Sequence, residues 1–116
     1  MEFNSNKPIY LQICDMICER ILSGDLHEED RIPSVREFGG EIGVNPNTIM
    51  RSYERLTDQG IIYNKRGIGY FVSMDAHDKI LEANKVDFLE QDLPEVIKRM
   101  KLLEITLEEF TALYNK

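Results

Sequence analysis

Asp30-Arg-Ile-Pro-Ser-Val-Arg-Glu37 and, after a short gap, Gly43-Val-Asn-Pro-Asn-Thr-Ile-Met-Arg-Ser-Tyr53 decide how this chain folds. Ser34 with Glu37 three residues later is a capping box, in which each side chain satisfies a backbone N–H of the other. A helix therefore starts at Ser34 and buries Val35, Phe38 and Ile42. Gly43 ends it and Val44 plugs the turn. Asn45 caps the next helix, with Pro46 in its first turn. That helix runs to about Gln59 and is closed by Gly60. Ile49, Tyr53 and Leu56 form its inward stripe, leaving Asn47, Met50, Arg51, Glu54 and Arg55 outside. Gly39-Gly40 is a local conflict, since each glycine costs a helix about 1 kcal/mol against alanine. Gly39 fits a close approach of the following helix; Gly40 has no physical account.

Working outward, Pro8 to Ser23 has an apolar stripe at Ile9, Tyr10, Ile13, Met16, Ile17 and Ile21, with Gly24 just past its end. Arg31-Ile32 suits a very short strand. Ile61–Asn64 and Tyr70–Val72 are β-prone, and Lys65 to Gly69 joins them with two glycines free to take positive φ. Three helices and a hairpin in this order make a mainly α chain with a small β-hairpin, an N-terminal winged helix-turn-helix over residues 1–73. Two helices joined by a tight turn, the second opening with small polar residues and then arginines, suit a DNA major groove. The remainder, 74–116, is a short helical tail. One helix is expected from about Asp75 to Gln91 and a second from Leu93-Pro94. A third opens on the Thr106–Glu109 capping box.

Hydrophobic residues at 42% and charged residues at 30% place the chain among globular proteins rather than disordered ones. No apolar run approaches the ~18 residues of a membrane span, and Met1–Lys7 has no leader pattern, so a cytoplasmic location is expected. Cys14 and Cys18 lie four apart on one helix, where a bridge would be strained; reduced, partly buried thiols follow. The net charge of −7 opposes nucleic-acid binding at first sight. Its distribution does not: residues 31–72 carry six basic against four acidic groups, a net +2, while residues 74–116 carry six against ten, a net −4. Weak non-specific attraction to DNA is expected, with more affinity left to specific contacts and dimerisation. His27 with its acidic neighbours, and Asp75-Ala-His77-Asp78, lack the spacing of a zinc site. No catalytic constellation is present and no cofactor is implied, so an enzyme is not expected.

Five motifs as a set resemble the GntR family of bacterial transcription regulators. They are Pro8-Ile-Tyr-Leu-Gln-Ile, Asp30-Arg-Ile-Pro-Ser-Val-Arg-Glu, Gly43-Val-Asn-Pro-Asn-Thr, Tyr53-Glu-Arg-Leu with Gln59-Gly60-Ile-Ile, and Lys65-Arg-Gly-Ile-Gly-Tyr-Phe-Val. The resemblance covers about residues 8–73. The Asn-Pro-Asn-Thr turn and short tail resemble the YtrA subfamily, whose members follow the winged helix with a few dimerisation helices and lack a large effector domain. This implies DNA contact by Arg36, by Asn45, Pro46, Asn47 and Thr48, by Met50, and by Arg66-Gly67 on the wing. Pro46 and Met50 stand where many relatives carry arginines, so direct guanine reading there is lost.

Each residue also has a plainer reading. Arg36 suits a phosphate or a guanine edge, or an ion pair with Glu37 or Glu41. Asn47 and Thr48 offer first-turn donors to phosphate, and Asn47 suits adenine; helix capping is the alternative, above all for Asn45. Arg51, one turn on, reaches base or backbone, or pairs with Glu54. Met50 suits a thymine methyl or a spare core position. Lys65 and Arg66 suit backbone neutralisation, or a solvated turn. The expectation is a homodimeric regulator, a repressor, on a palindromic double-stranded DNA operator, paired through its C-terminal helices. A small-molecule effector, unidentified, would bind between wing domain and tail or in the dimer interface, and no membrane is involved. The alternative is a winged helix used only for protein–protein association, which the acidic net charge favours.

Overall fold

The computed structural model describes residues 6–116; the first five residues of the Met1–Lys7 stretch read for a leader, and of the 1–73 domain, lie outside them. Helix α1 (Ile9–Ser23) starts after Pro8, whose carbonyl accepts the Gln12 N–H, and ends at Gly24 in the left-handed region (φ 90°). It buries Ile13, Cys14, Ile17 and Ile21. Ile9, expected in the stripe, is exposed.

Helix α2 (Val35–Ile42) has both halves of the Ser34–Glu37 capping box and closes on Gly43 at φ 70°. Helix α3 (Pro46–Asp58) starts where the Asn45 side chain accepts the Asn47 N–H at 2.8 Å. Its inner face, Ile49, Ser52, Tyr53 and Leu56, is fully buried against α1 and α2. Gly39 is the reason α2 and the turn before α3 fit together. A Cβ on it would stand 2.7 Å from the Val44 carbonyl oxygen and 3.7 Å from Ile49 Cγ1.

Strands β1 (Ile62–Lys65) and β2 (Gly69–Val72) form an antiparallel hairpin, pairing Ile62 with Val72 and Lys65 with Gly69. Each strand reaches one residue further toward the turn than the β-prone runs alone indicate, because the Ile68 N–H closes on the Lys65 carbonyl at 2.9 Å. The expected strand at Arg31-Ile32 is a single bridge, Arg31 to Phe71, flanked by Ile32 N–H to the Tyr70 carbonyl.

Helix α4 (Ala76–Asp87) follows, and its Ala76 and Ile80 are buried in the same core as α1 to α3. Lys79 Nζ lies 3.4 Å from the Gly60 carbonyl, donating to the turn that closes α3. The two helices expected around Pro94 are both present, joined without a break. Helix α4 passes through a π-helical turn at Phe88–Asp92 directly into α5 (Leu93–Leu102). Pro94 has no N–H to give the Glu90 carbonyl, and its ring needs the space that carbonyl would occupy. The ladder widens by one residue instead, with Leu93 N–H bonding to the Phe88 carbonyl. The proline sits in the first turn of α5, as expected, and the π turn ahead of it joins α4 to α5 without a break. Glu104, at φ 56°, turns the chain into α6 (Leu107–Tyr114), which the Thr106–Glu109 capping box opens.

The chain divides into two compact units, one ending at Leu81 and the other Glu82–Lys116. All buried core residues belong to the first; the second contains no buried residue. Among the described residues no helix is long and apolar enough to cross a membrane.

Cys14 and Cys18 are free thiols, Cys14 buried and Cys18 half-buried. Burial pushes Cys18 from 9.0 up to about 12, helped by the neighbouring Cys14 and Asp15, and pushes Cys14 up too. A thiol raised on folding stabilises the fold fully below its unfolded value, and that contribution is lost as pH rises toward the folded one. Urea-unfolding midpoints should therefore fall between pH 9 and 12, and a Cys18→Ala variant should lose less over that window. In the same assay Gly40→Ala, with nothing within 4 Å of its added carbon, should stabilise by about 0.5–1 kcal/mol. Gly39→Ala should destabilise by about 1–3 kcal/mol, because a backbone carbonyl must move.

Candidate nucleic-acid interface

Helix α3 divides cleanly. Its inner side carries no solvent-exposed atom of consequence, and its outer side exposes Asn47, Met50 and Arg51, with Asn45 and Pro46 exposed at its start and Thr48 half-buried. Two hydrogen bonds fix this rotation. Ser52 Oγ donates to the Tyr10 carbonyl at 2.7 Å, anchoring α3 to α1. Tyr53 Oη donates to the Pro33 carbonyl at 2.6 Å, anchoring it to the loop before α2. Ser52 carries no apolar signal, and the inward stripe read from the sequence omits it. Its position beside Tyr53 on that stripe is the only local clue.

Arg51 is not paired with Glu54. Its guanidinium carbon lies over the Tyr10 ring, 3.9 Å from the centroid. Such a stack holds a cation without cancelling its charge. Met50 is on the surface rather than in the core, 38% exposed, and the Tyr70 hydroxyl points to its sulfur at 3.9 Å. Tyr70 in turn stands edge-on to Tyr53, with centroids 4.9 Å apart, so the outer face of α3 and the wing strand β2 share one aromatic hinge.

Arg36 is exposed on α2, and among the described residues it forms no ion pair with Glu37 or Glu41. Glu37 is committed to the cap: hydrogen bonds from the Ser34 hydroxyl and backbone, with Arg31 nearby, hold its carboxyl below the usual range. Lys65, Arg66 and Gly67 are exposed at the hairpin end, Gly67 at φ 79° where the turn requires it. Lys65 Nζ sits 5.1 Å from the Phe71 ring centroid. Arg66 and Ile68 stand at the tip, Ile68 56% exposed. Away from this face, Ile21, Gly24, Leu26, His27, Glu28 and His77 line an open cleft of about 320 Å³.

A capped recognition helix, a scaffold helix before it and a basic hairpin after it define a winged helix-turn-helix regulator. The family of bacterial regulatory proteins named for gntR matches residues 9–72, and the chain belongs to it. It is 41% identical over 108 residues to the uncharacterized HTH-type transcriptional regulator YhcF of Bacillus subtilis, covering 93% of this chain and 88% of that one. It is 34% identical to the HTH-type transcriptional repressor YtrA of the same organism, covering 90% and 80%. Among solved structures, a putative GntR-family regulator from Bacteroides thetaiotaomicron is 45% identical and aligns over 93% of this chain and 94% of that one, with a TM-score of 0.72. The chain is thus a DNA-binding transcription regulator and not an enzyme, which decides against a pure association module.

Asn45 and Asn47 separate capping from contact. Asn45→Ala removes the acceptor for the Asn47 N–H and should lower unfolding stability by about 1 kcal/mol. Asn47→Ala should stay within about 0.5 kcal/mol of the parent while weakening binding to selected duplexes. A loss of stability in Asn47→Ala as large as in Asn45→Ala would assign both residues to the cap.

Proposed function

We propose that the chain is a homodimeric repressor acting in the cytoplasm on a roughly palindromic operator. Arg36, Asn45, Pro46, Asn47, Thr48, Met50, Arg51, Lys65, Arg66 and Gly67 face the DNA in this reading. The observation that carries it is the split of α3: a fully buried inner side locked by two hydrogen bonds, and an outer side of polar, basic and one apolar group left exposed. Asn47 has the donor–acceptor pair that matches adenine, Arg51 reaches base or backbone, and Met50 offers a soft surface to a thymine methyl. Arg36, Lys65 and Arg66 neutralise phosphates on either side. Repression is supported by the YtrA relative, a transcriptional repressor.

The dimer is supported by the tail. Leu102, Leu103, Leu107, Leu113 and Tyr114 are each at least 65% exposed, far more apolar surface than so short a segment leaves to water. Pairing two tails across a two-fold axis covers it and sets two recognition helices about 34 Å apart on one face of the duplex. For a small-molecule effector, the cleft between Ile21, Leu26 and His77 is one space among the described residues of the first unit.

Equilibrium sedimentation at micromolar concentration should give a dimer. Leu103→Asp combined with Leu107→Asp should give a folded monomer. On duplexes selected from a random pool, that monomer should bind roughly a hundredfold more weakly, since the second half-site contact is no longer intramolecular. A monomeric parent that binds the selected duplexes as a single copy overturns the dimer.

A further inference from the structure

We propose that Arg31 is a phosphate-binding residue of the DNA interface, held in place by Gly69 of the wing and Glu37 of α2. The inference rests on the reading of α2, α3 and the wing as the DNA-facing side.

The residue lies outside both helices of the helix-turn-helix, in the short connection before α2. Its backbone is nevertheless fixed to the wing through the bridge to Phe71 of β2. The side chain then runs along the hairpin. A Cβ on Gly69 would stand 3.1 Å from Arg31 Nε and 3.5 Å from Nη2, so the absence of a side chain there is what lets the guanidinium lie against the strand. At its far end Nη2 is 3.9 Å from Glu37 Oε1. The cation therefore stands between the hairpin that carries Lys65 and Arg66 and the helix turn that carries Arg36.

Three features suit it to phosphate. Its side chain is half exposed (52%). The contact to Glu37 is long and single-ended, whereas a strong arginine–carboxylate pair is bidentate, and exposed pairs of this kind contribute little. The same Glu37 oxygen already accepts the Ser34 N–H at 3.2 Å. A guanidinium has five N–H donors, so most of Arg31's remain available to an oxyanion. Its place on the wing and the pre-α2 connection, rather than on α3, assigns it to the sugar–phosphate backbone and not to base edges. Glu37 acts as a rest position that a phosphate displaces.

The test is the salt dependence of binding by the full chain to a random-sequence duplex, read by fluorescence anisotropy across a sodium chloride series. Each lost phosphate contact lowers the slope of log K against log salt by about one. Arg31→Gln should show that drop with an unchanged thermal melt, and Arg31→Lys, which keeps the charge, should retain the parent slope. Arg66→Gln serves as the reference. A parent-like slope in Arg31→Gln, with a reduced slope in Arg66→Gln, makes Arg31 an ion-pair residue only and overturns the inference alone. Parent-like slopes in both variants overturn the DNA-facing reading, and this inference with it.

Discussion

The recognition helix is held at its angle by Tyr53. Its ring is fully buried, its hydroxyl donates to the Pro33 carbonyl at 2.6 Å, and it packs on Phe38 and Tyr70 with centroids 6.4 and 4.9 Å away. One side chain thus touches the loop before α2, α2 itself and the wing. Burial raises the phenol's pKa well above its ordinary value, so the donor stays protonated throughout the working range. Without that donor, the carbonyl next to the Ser34 cap is left unpaired, which typically costs about 1–3 kcal/mol when the group is buried. Ser52, one residue back, grips α1 in the same way. Two adjacent residues on the inner side of α3 therefore orient everything that the outer side displays.

What the sequence makes legible is what short range decides. The capping boxes at Ser34 and Thr106, the Asn45 cap and the glycine stops are local, and the structure has each of them. The stripe Ile49, Tyr53, Leu56 needs only helical periodicity. Gly39 was legible as a close approach, although its nearest neighbour is the turn carbonyl of Val44 rather than the helix beyond. Contacts across long separations leave no local trace. Arg51 on Tyr10, Tyr70 against Met50 and Arg31 along Gly69 depend on tertiary placement. Ser52 is hidden by its own polarity. At Pro94 the helix start is legible but the join is not: a proline in a helical pattern fits a first turn or a bulge, and only the hydrogen-bond ladder shows α4 running on into α5. Gly40, exposed and uncrowded, still has no structural explanation.

A chain of net charge −7 must keep its cations effective where it meets a polyanion. Two of its lysines away from that face lie against acids, Lys7 on Asp15 and Lys79 on Asp75. On the proposed DNA-facing side, Arg51 and Lys65 rest on the Tyr10 and Phe71 rings instead. An aromatic face holds a cation in position through its quadrupole and leaves the net charge intact. The local excess of positive charge is thereby kept despite the acidic whole.

The π turn at Phe88–Asp92 changes how the helical run from Ala76 to Leu102 can present its surface. One extra residue in the turn sets every later side chain back by about 100° around the axis relative to an unbroken helix. The run consequently has two angular registers joined end to end, like a shaft coupled one spline over. A partner that follows the apolar edge of α4 cannot continue straight along α5; it must step sideways at the turn. Any surface that matches both halves is selected for that step as much as for its hydrophobicity.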